Sequence, residues 1–160
     1  MFSPRLRPSA LALLAAIVLA GCAGTSQLLH RPPPPKTHAG AIYLQRLGTL
    51  QGSLAAIERT VPRRPHTPAQ LARSVSTLAR AMGGLAAGLR GVKPPSPVRA
   101  PHIELIAIAR AYQRQLIALV PQLRDPVREV SAADALARAT EAASTAFAAT
   151  SAEIRRRLAK

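Results

Sequence analysis

The sequence predicts an all-α protein, an up-down antiparallel four-helix bundle, and three observations predict it. Apolar side chains recur at alternating spacings of three and four residues in four separate stretches. Short proline-containing connections that cannot continue a helix separate those stretches. Beyond an N-terminal apolar segment, the 139 residues from 22 to 160 suffice for one core and are too few to expect two. A pair of helical hairpins that dimerises is the alternative arrangement of the same four elements.

The first stretch, residues 41–61, carries Tyr43, Leu47, Leu50, Leu54, Ile57 and Val61 on one stripe, with Gln45, Arg46, Gln51, Glu58 and Arg59 on the other faces. Residues 62–68 interrupt it with three prolines and form a loop. Thr67-Pro68-Ala69-Gln70 then supplies a start signal: a side-chain cap, a proline suited to the first helical position and a glutamine able to reach back. The second helix, 68–92, presents Leu71, Val75, Leu78, Met82, Leu85, Leu89 and Val92. Gly83, Gly84, Gly88 and Gly91 lower its intrinsic helicity, so its far end is either closely packed or frayed.

The connector from Lys93 to Pro101 holds four prolines and leads into a third helix, 101–125. Leu105, Ala109, Tyr112, Leu116, Leu119 and Leu123 form its stripe, and Ile106, Ile108, Ile117 and Val120 are expected to widen it, making this the most deeply buried helix. Pro121 predicts a kink near Ile117–Pro121, and Pro126 a stop. Ser131-Ala132-Ala133-Asp134 reads as a capping box opening the fourth helix, 132–159, whose stripe is Leu136, Thr140, Ala143, Phe147, Thr150, Ile154 and Leu158.

Ahead of the bundle, Arg5 and Arg7 precede an apolar run from Ala10 to Ala20, a secretory signal layout too short to span a membrane as a helix. The run ends at Leu19-Ala20-Gly21-Cys22, where Cys22 is the sole cysteine. These four residues resemble the lipobox of bacterial lipoproteins: an aliphatic residue, two small residues that fit a signal-peptidase cleft, and a cysteine. The resemblance implies that residues 1–21 are cleaved, that the Cys22 sulfur receives a diacylglyceryl group, and that the freed amine takes a further acyl chain such as palmitate. Two or more chains, at about 0.8 kcal/mol per buried CH₂, anchor a protein stably where one does not.

Ala23 and Gly24 lack the aspartate that favours inner-membrane retention in diderm lipoproteins, so outer-membrane sorting is allowed where an outer membrane exists. Residues 22–40, with Arg31-Pro32-Pro33-Pro34-Pro35-Lys36, show no helical period and read as a polyproline tether in which His30 and His38 are solvated. The stretch Leu89 to Leu105, with Pro94-Pro95 and His102, is similar to small helical-bundle lipoproteins of GC-rich bacteria, actinobacteria especially. That group implies a fold and a location in the cell envelope and supplies no activity.

Charge bounds the partners. Twenty basic residues against seven acidic ones remain after residue 21, a net of +13. Such an excess favours an anionic neighbour. Almost no aromatics and no base-reading motif leave nucleic acid an unsuitable partner, so anionic lipid headgroups or envelope polymers are expected. GC-rich codon usage, which enriches arginine and alanine, explains the same composition without a partner. Arg155, Arg156, Arg157 and Lys160, at the end of the last helix, complement its dipole and are the candidate anionic-surface contacts.

Chemistry-bearing patterns are sparse. With Cys22 acylated, neither a disulfide nor a thiolate cluster can form. His102 at a helix start reads as a packed residue ahead of a ligand, and Met82 reads as core; a soft metal pair between the two lacks a spacing motif. Asp125 and Glu129, four apart, are flanked by Arg124 and Arg128 and read as surface ion pairs. No phosphate loop, Ser/His/Asp pattern or HExxH occurs. The expectation is a non-enzymatic, lipid-anchored structural or interaction module without cofactor or metal, its protein partner unspecified. The alternative is a carrier holding a small apolar ligand or a metal between helices.

Overall fold

The computed structural model describes residues 34–60 and 67–160. Residues 1–33, which hold the expected signal segment, Cys22 and most of the expected tether, and residues 61–66, where a loop is expected, lie outside the described residues. Four helices, α1 (His38–Thr60), α2 (Pro68–Arg90), α3 (Arg99–Gln122) and α4 (Glu129–Leu158), follow one another, with a 3-10 turn at Ser96–Val98 before α3. Among the described residues there is no strand, and no helix is long and apolar enough to cross a membrane.

The stripes of the last three helices become most of the core, whereas in α1 only Tyr43 and Leu47 are buried, Leu50 and Leu54 are partly covered, and the Ile57 side chain and Val61 lie outside the described residues. Leu71, Val75, Leu78, Met82, Leu85 and Leu89 of α2 are buried, as are Leu105, Ala109, Tyr112, Leu116 and Leu119 of α3, with Leu123 just beyond it. On α4, Leu136, Thr140, Ala143, Thr150, Ile154 and Leu158 point inward, and the Tyr112 hydroxyl meets Thr140 Oγ1 at 2.7 Å, so both polar groups are satisfied inside. α3 packs along both α2 and α4, while α1 packs chiefly on α2. Each fully buried leucine contributes roughly 1.5–3 kcal/mol of transfer free energy, which makes α2, α3 and α4 the main store of stability.

Several boundaries differ from those read in the sequence, each for a local reason. α1 begins at His38, within the expected tether, because Thr37 Oγ1 accepts the Gly40 N–H at 3.1 Å and caps it. α2 starts as expected on the Thr67 cap, whose Oγ1 accepts from Gln70 N at 3.2 Å, but it stops at Arg90 because Gly91 is its C-cap. α3 opens two residues ahead of Pro101, which sits in the first turn, where a missing N–H is not needed. Pro121 falls in the last turn of α3, marking its end one residue on.

The capping box at Ser131 is not made. α4 starts at Glu129, and Ser131 Oγ donates instead to the Arg128 carbonyl at 2.9 Å. Asp125 organises the turn ahead of it: its Oδ1 accepts the Val127 N–H at 2.9 Å, and its backbone carbonyl accepts from Glu129 at 2.9 Å. Ile117 does not widen the buried stripe of α3, for it is 55% exposed; Ile103 on the same face is 60% exposed.

The ends of the bundle differ. At the end here called proximal, the Lys36 N–H donates to the Leu158 carbonyl at 3.1 Å, and Arg157 Nη1 donates to the Pro97 carbonyl at 3.2 Å. The chain therefore joins the bundle beside the last turn of α4 and the connector that leads into α3. That same end carries Lys36, Lys93, Arg99, Arg155, Arg156, Arg157 and Lys160. The turn from α3 to α4 closes the opposite, distal end.

Candidate functional site

Among the described residues, three places stand out as able to carry chemistry or binding. The first is a buried polar node at the proximal end. Tyr43 from the second turn of α1 places its hydroxyl 2.9 Å from His102 Nδ1 in the first turn of α3, with the rings edge to face at 5.7 Å. The Leu89 backbone at the end of α2 hydrogen-bonds the same imidazole. A neutral ring that donates to the Leu89 carbonyl and accepts from Tyr43 satisfies all three groups. Burial holds the His102 pKa below its ordinary value, opposed by the Leu89 bond, and burial pushes the Tyr43 phenol up to about 12.

Both groups are therefore neutral near pH 7, and the node latches three helices together. His102 is packed, as its place at a helix start suggests. Met82 is buried on α2 two turns before Leu89, roughly 10 Å away by helix rise, so the fold does not bring it to His102 as a metal pair. No group of three or more metal-ligating His, Cys, Asp or Glu side chains occurs among the described residues.

The second place is an open groove of about 450 Å³ between α1 and α2, walled by Leu50, Leu54, Ala81 and Leu85. Gly88 explains why α1 approaches α2 so closely beside it: a Cβ there would lie 2.5 Å from Leu50 Cδ2. The groove's apolar walls suit an apolar ligand.

The third place is a polar cleft of about 460 Å³ on the outer flank of α2 and α3, formed by Gly83, Ala86 and Arg90 of α2 with Arg110, Gln113 and Arg114 of α3. Antiparallel packing sets this register, laying Gln113 over Gly83, where a Cβ would come within 2.5 Å of Nε2. Arg90 Nε donates to the Ala86 carbonyl at 3.4 Å, which aligns the side chain along the wall. The ion pairs among the described residues are Asp125–Arg128, Glu153–Arg156 and Glu153–Arg157, so none neutralises the cleft.

The arginines expected to meet anions behave differently. Arg156 and Arg157 both engage Glu153, and Arg157 also holds the Pro97 carbonyl. The Arg157 hydrogen bond first, then the nearby positive charges and the Arg156 bond, hold the Glu153 carboxyl below the usual carboxylate range. Arg155 is half-buried, and Lys160 is exposed. Asp125 and Glu129 do not face one another as an acid–base pair: Asp125 is spent on its turn and on Arg128 at 3.6 Å.

Sequence reasoning missed the cleft. Arg110 and Arg114 are one turn apart, a visible pair, but Arg90 joins them only through the helix register. No protein-family model, curated protein or solved structure matches the chain.

Proposed function

We propose that the protein is a lipid-anchored cell-envelope protein, acylated at Cys22 and held on the extracytoplasmic side of the membrane. Its helical bundle serves as a non-enzymatic interaction module with its basic surface toward anionic headgroups or envelope polymers. One observation supports this reading above the rest: the Lys36–Leu158 bond joins the chain to the bundle at the end that gathers Lys93, Arg99, Arg155, Arg156, Arg157 and Lys160. A tether running from Cys22 to Lys36 delivers that basic end toward the membrane. Electrostatic attraction to an anionic leaflet then adds about 1 kcal/mol per basic residue near the surface.

The test is Cys22→Ser. The native chain is expected to carry acyl mass and to sediment with membranes, and the variant to lose the acyl mass; an acylated variant sinks the anchor. A carrier is the second reading, favoured by the apolar groove between α1 and α2. Native mass spectrometry of the purified protein decides between them, because reproducible small-molecule or metal adducts displace the interaction reading.

A further inference from the structure

We propose that the cleft between α2 and α3 is a binding site for the phosphate group of a phospholipid headgroup, held by Arg90, Arg110, Arg114 and Gln113. This deepens the membrane-facing reading above and rests on it.

The donor set fits a phosphate. Guanidinium groups are planar forks that bind phosphate oxygens in pairs, and the Gln113 amide adds a neutral donor. Three such cations in one cleft without a paired carboxylate repel one another, and an anion is the group that relieves them. The floor is made of the small residues Gly83 and Ala86, and the absent Cβ at Gly83 gives the Gln113 amide its place.

The neighbours of the cleft select a lipid over a soluble anion. Positions 103, 110, 114 and 117 share one face of α3, so Ile103 and Ile117, 60% and 55% exposed, bracket the two arginines. Arginine with exposed aliphatic side chains on one face is the composition of surfaces that lie in the headgroup region, where apolar groups enter the acyl boundary and cations stay with phosphates. The cleft also begins at the proximal end, Arg90 being the last residue of α2, so a bundle tilted onto its α2/α3 edge presents both the basic end and the cleft.

Vesicle binding tests this, using the full chain with Cys22→Ser so that acylation contributes nothing. Phosphatidylcholine vesicles with and without phosphatidylglycerol are titrated at low salt. Arg90→Gln/Arg110→Gln/Arg114→Gln is expected to weaken binding to the anionic vesicles about 100-fold, from roughly fivefold per basic residue. A control of equal charge, Arg46→Gln/Arg73→Gln/Arg138→Gln, takes three exposed arginines from α1, α2 and α4 and is expected to lose less than tenfold. Equal losses in the two triples overturn the site and leave bulk charge as the cause.

Gly83→Leu keeps the charge, displaces Gln113 and is expected to weaken binding at least several-fold; unchanged binding in a folded variant counts against the cleft. Ile103→Ser/Ile117→Ser is expected to weaken vesicle binding and leave glycerol phosphate binding unchanged. If soluble polyphosphate binding depends on the three arginines and vesicle binding does not, the cleft serves a phosphate polymer and the headgroup assignment falls. The two proposals fail separately: an acylated chain whose cleft triple matches its control sinks only the cleft. A native chain without acyl mass whose vesicle binding still needs the cleft sinks only the anchor.

Discussion

α1 and α3 are amphipathic helices of nearly equal length, 23 and 24 residues, and the fold holds them in opposite ways. α3 lies between α2 and α4 and buries its stripe along its whole length. α1 rests chiefly on α2; Tyr43 and Leu47 in its first half are buried, but Leu50 and Leu54 are only half-covered and wall an open groove. An apolar stripe reports that a helix can pack. How many neighbours it receives depends on the rest of the chain, and so does its share of the stability.

The largest effect expected from breaking this contrast is in α3. Leu116→Ala empties a fully buried site and is expected to lower global stability by about 2–5 kcal/mol, read from denaturant unfolding. A loss below about 1 kcal/mol puts the centre of the core elsewhere. Tyr43→Phe removes one hydroxyl and leaves the His102 ring without a donor, at an expected cost of about 1–3 kcal/mol. Amide exchange is expected to quicken mainly in α1; uniform quickening over all four helices shows that α1 unfolds only with the rest.

Smaller changes sharpen the contrast from the other side. Gly52 of α1 has open space where a Cβ would stand, so Gly52→Ala is expected to raise stability by about 0.5–1 kcal/mol, with slower exchange confined to α1. The latch also predicts a pH window. The His102 pKa is lowered in the fold, so its stabilising effect is present above the unfolded value of 6.5 and is lost as pH falls through the folded value. The Tyr43 pKa is raised, so its effect is full below 10 and is lost as pH rises toward about 12. Melting curves are expected to be flat between about pH 7 and 10 and to decline on both sides; Tyr43→Phe is expected to abolish the alkaline decline.

Much of this fold was legible because its signals are local. The Thr67 cap, the three-four stripes and the proline connections each act over a few residues, and α2, α3 and α4 bury almost every residue their periodicity nominates. α4 starts ahead of the expected Ser131 cap because the turn at Asp125 leads straight into it: the Asp125 carbonyl accepts the Glu129 N–H and the Arg128 carbonyl accepts the Ala132 N–H, so Ser131 already lies within the first turn. Ile117 was misplaced because a stripe has a width that only its neighbours set, and α2 and α4 leave that edge of α3 open. The candidate site divides the same way. The run Arg155–Arg157 is visible in sequence, but its engagement with Glu153 and Pro97 depends on side-chain geometry. The Arg90, Arg110 and Arg114 cleft needs the antiparallel register of two helices, which no single stretch encodes.

The junction of the chain with the proximal end has a mechanical consequence. A pull on the segment ahead of Lys36 acts first on the Lys36–Leu158 hydrogen bond and next on the Tyr43–His102 contact. Both lie near the start of α1, so tension meets them one after the other, as in peeling, and does not load the helix contacts all at once in shear. With the chain held at its N-terminal side, as the proposed anchor requires, α1 is the element placed to yield ahead of α2, α3 and α4, because it rests chiefly on α2 while those three share the core.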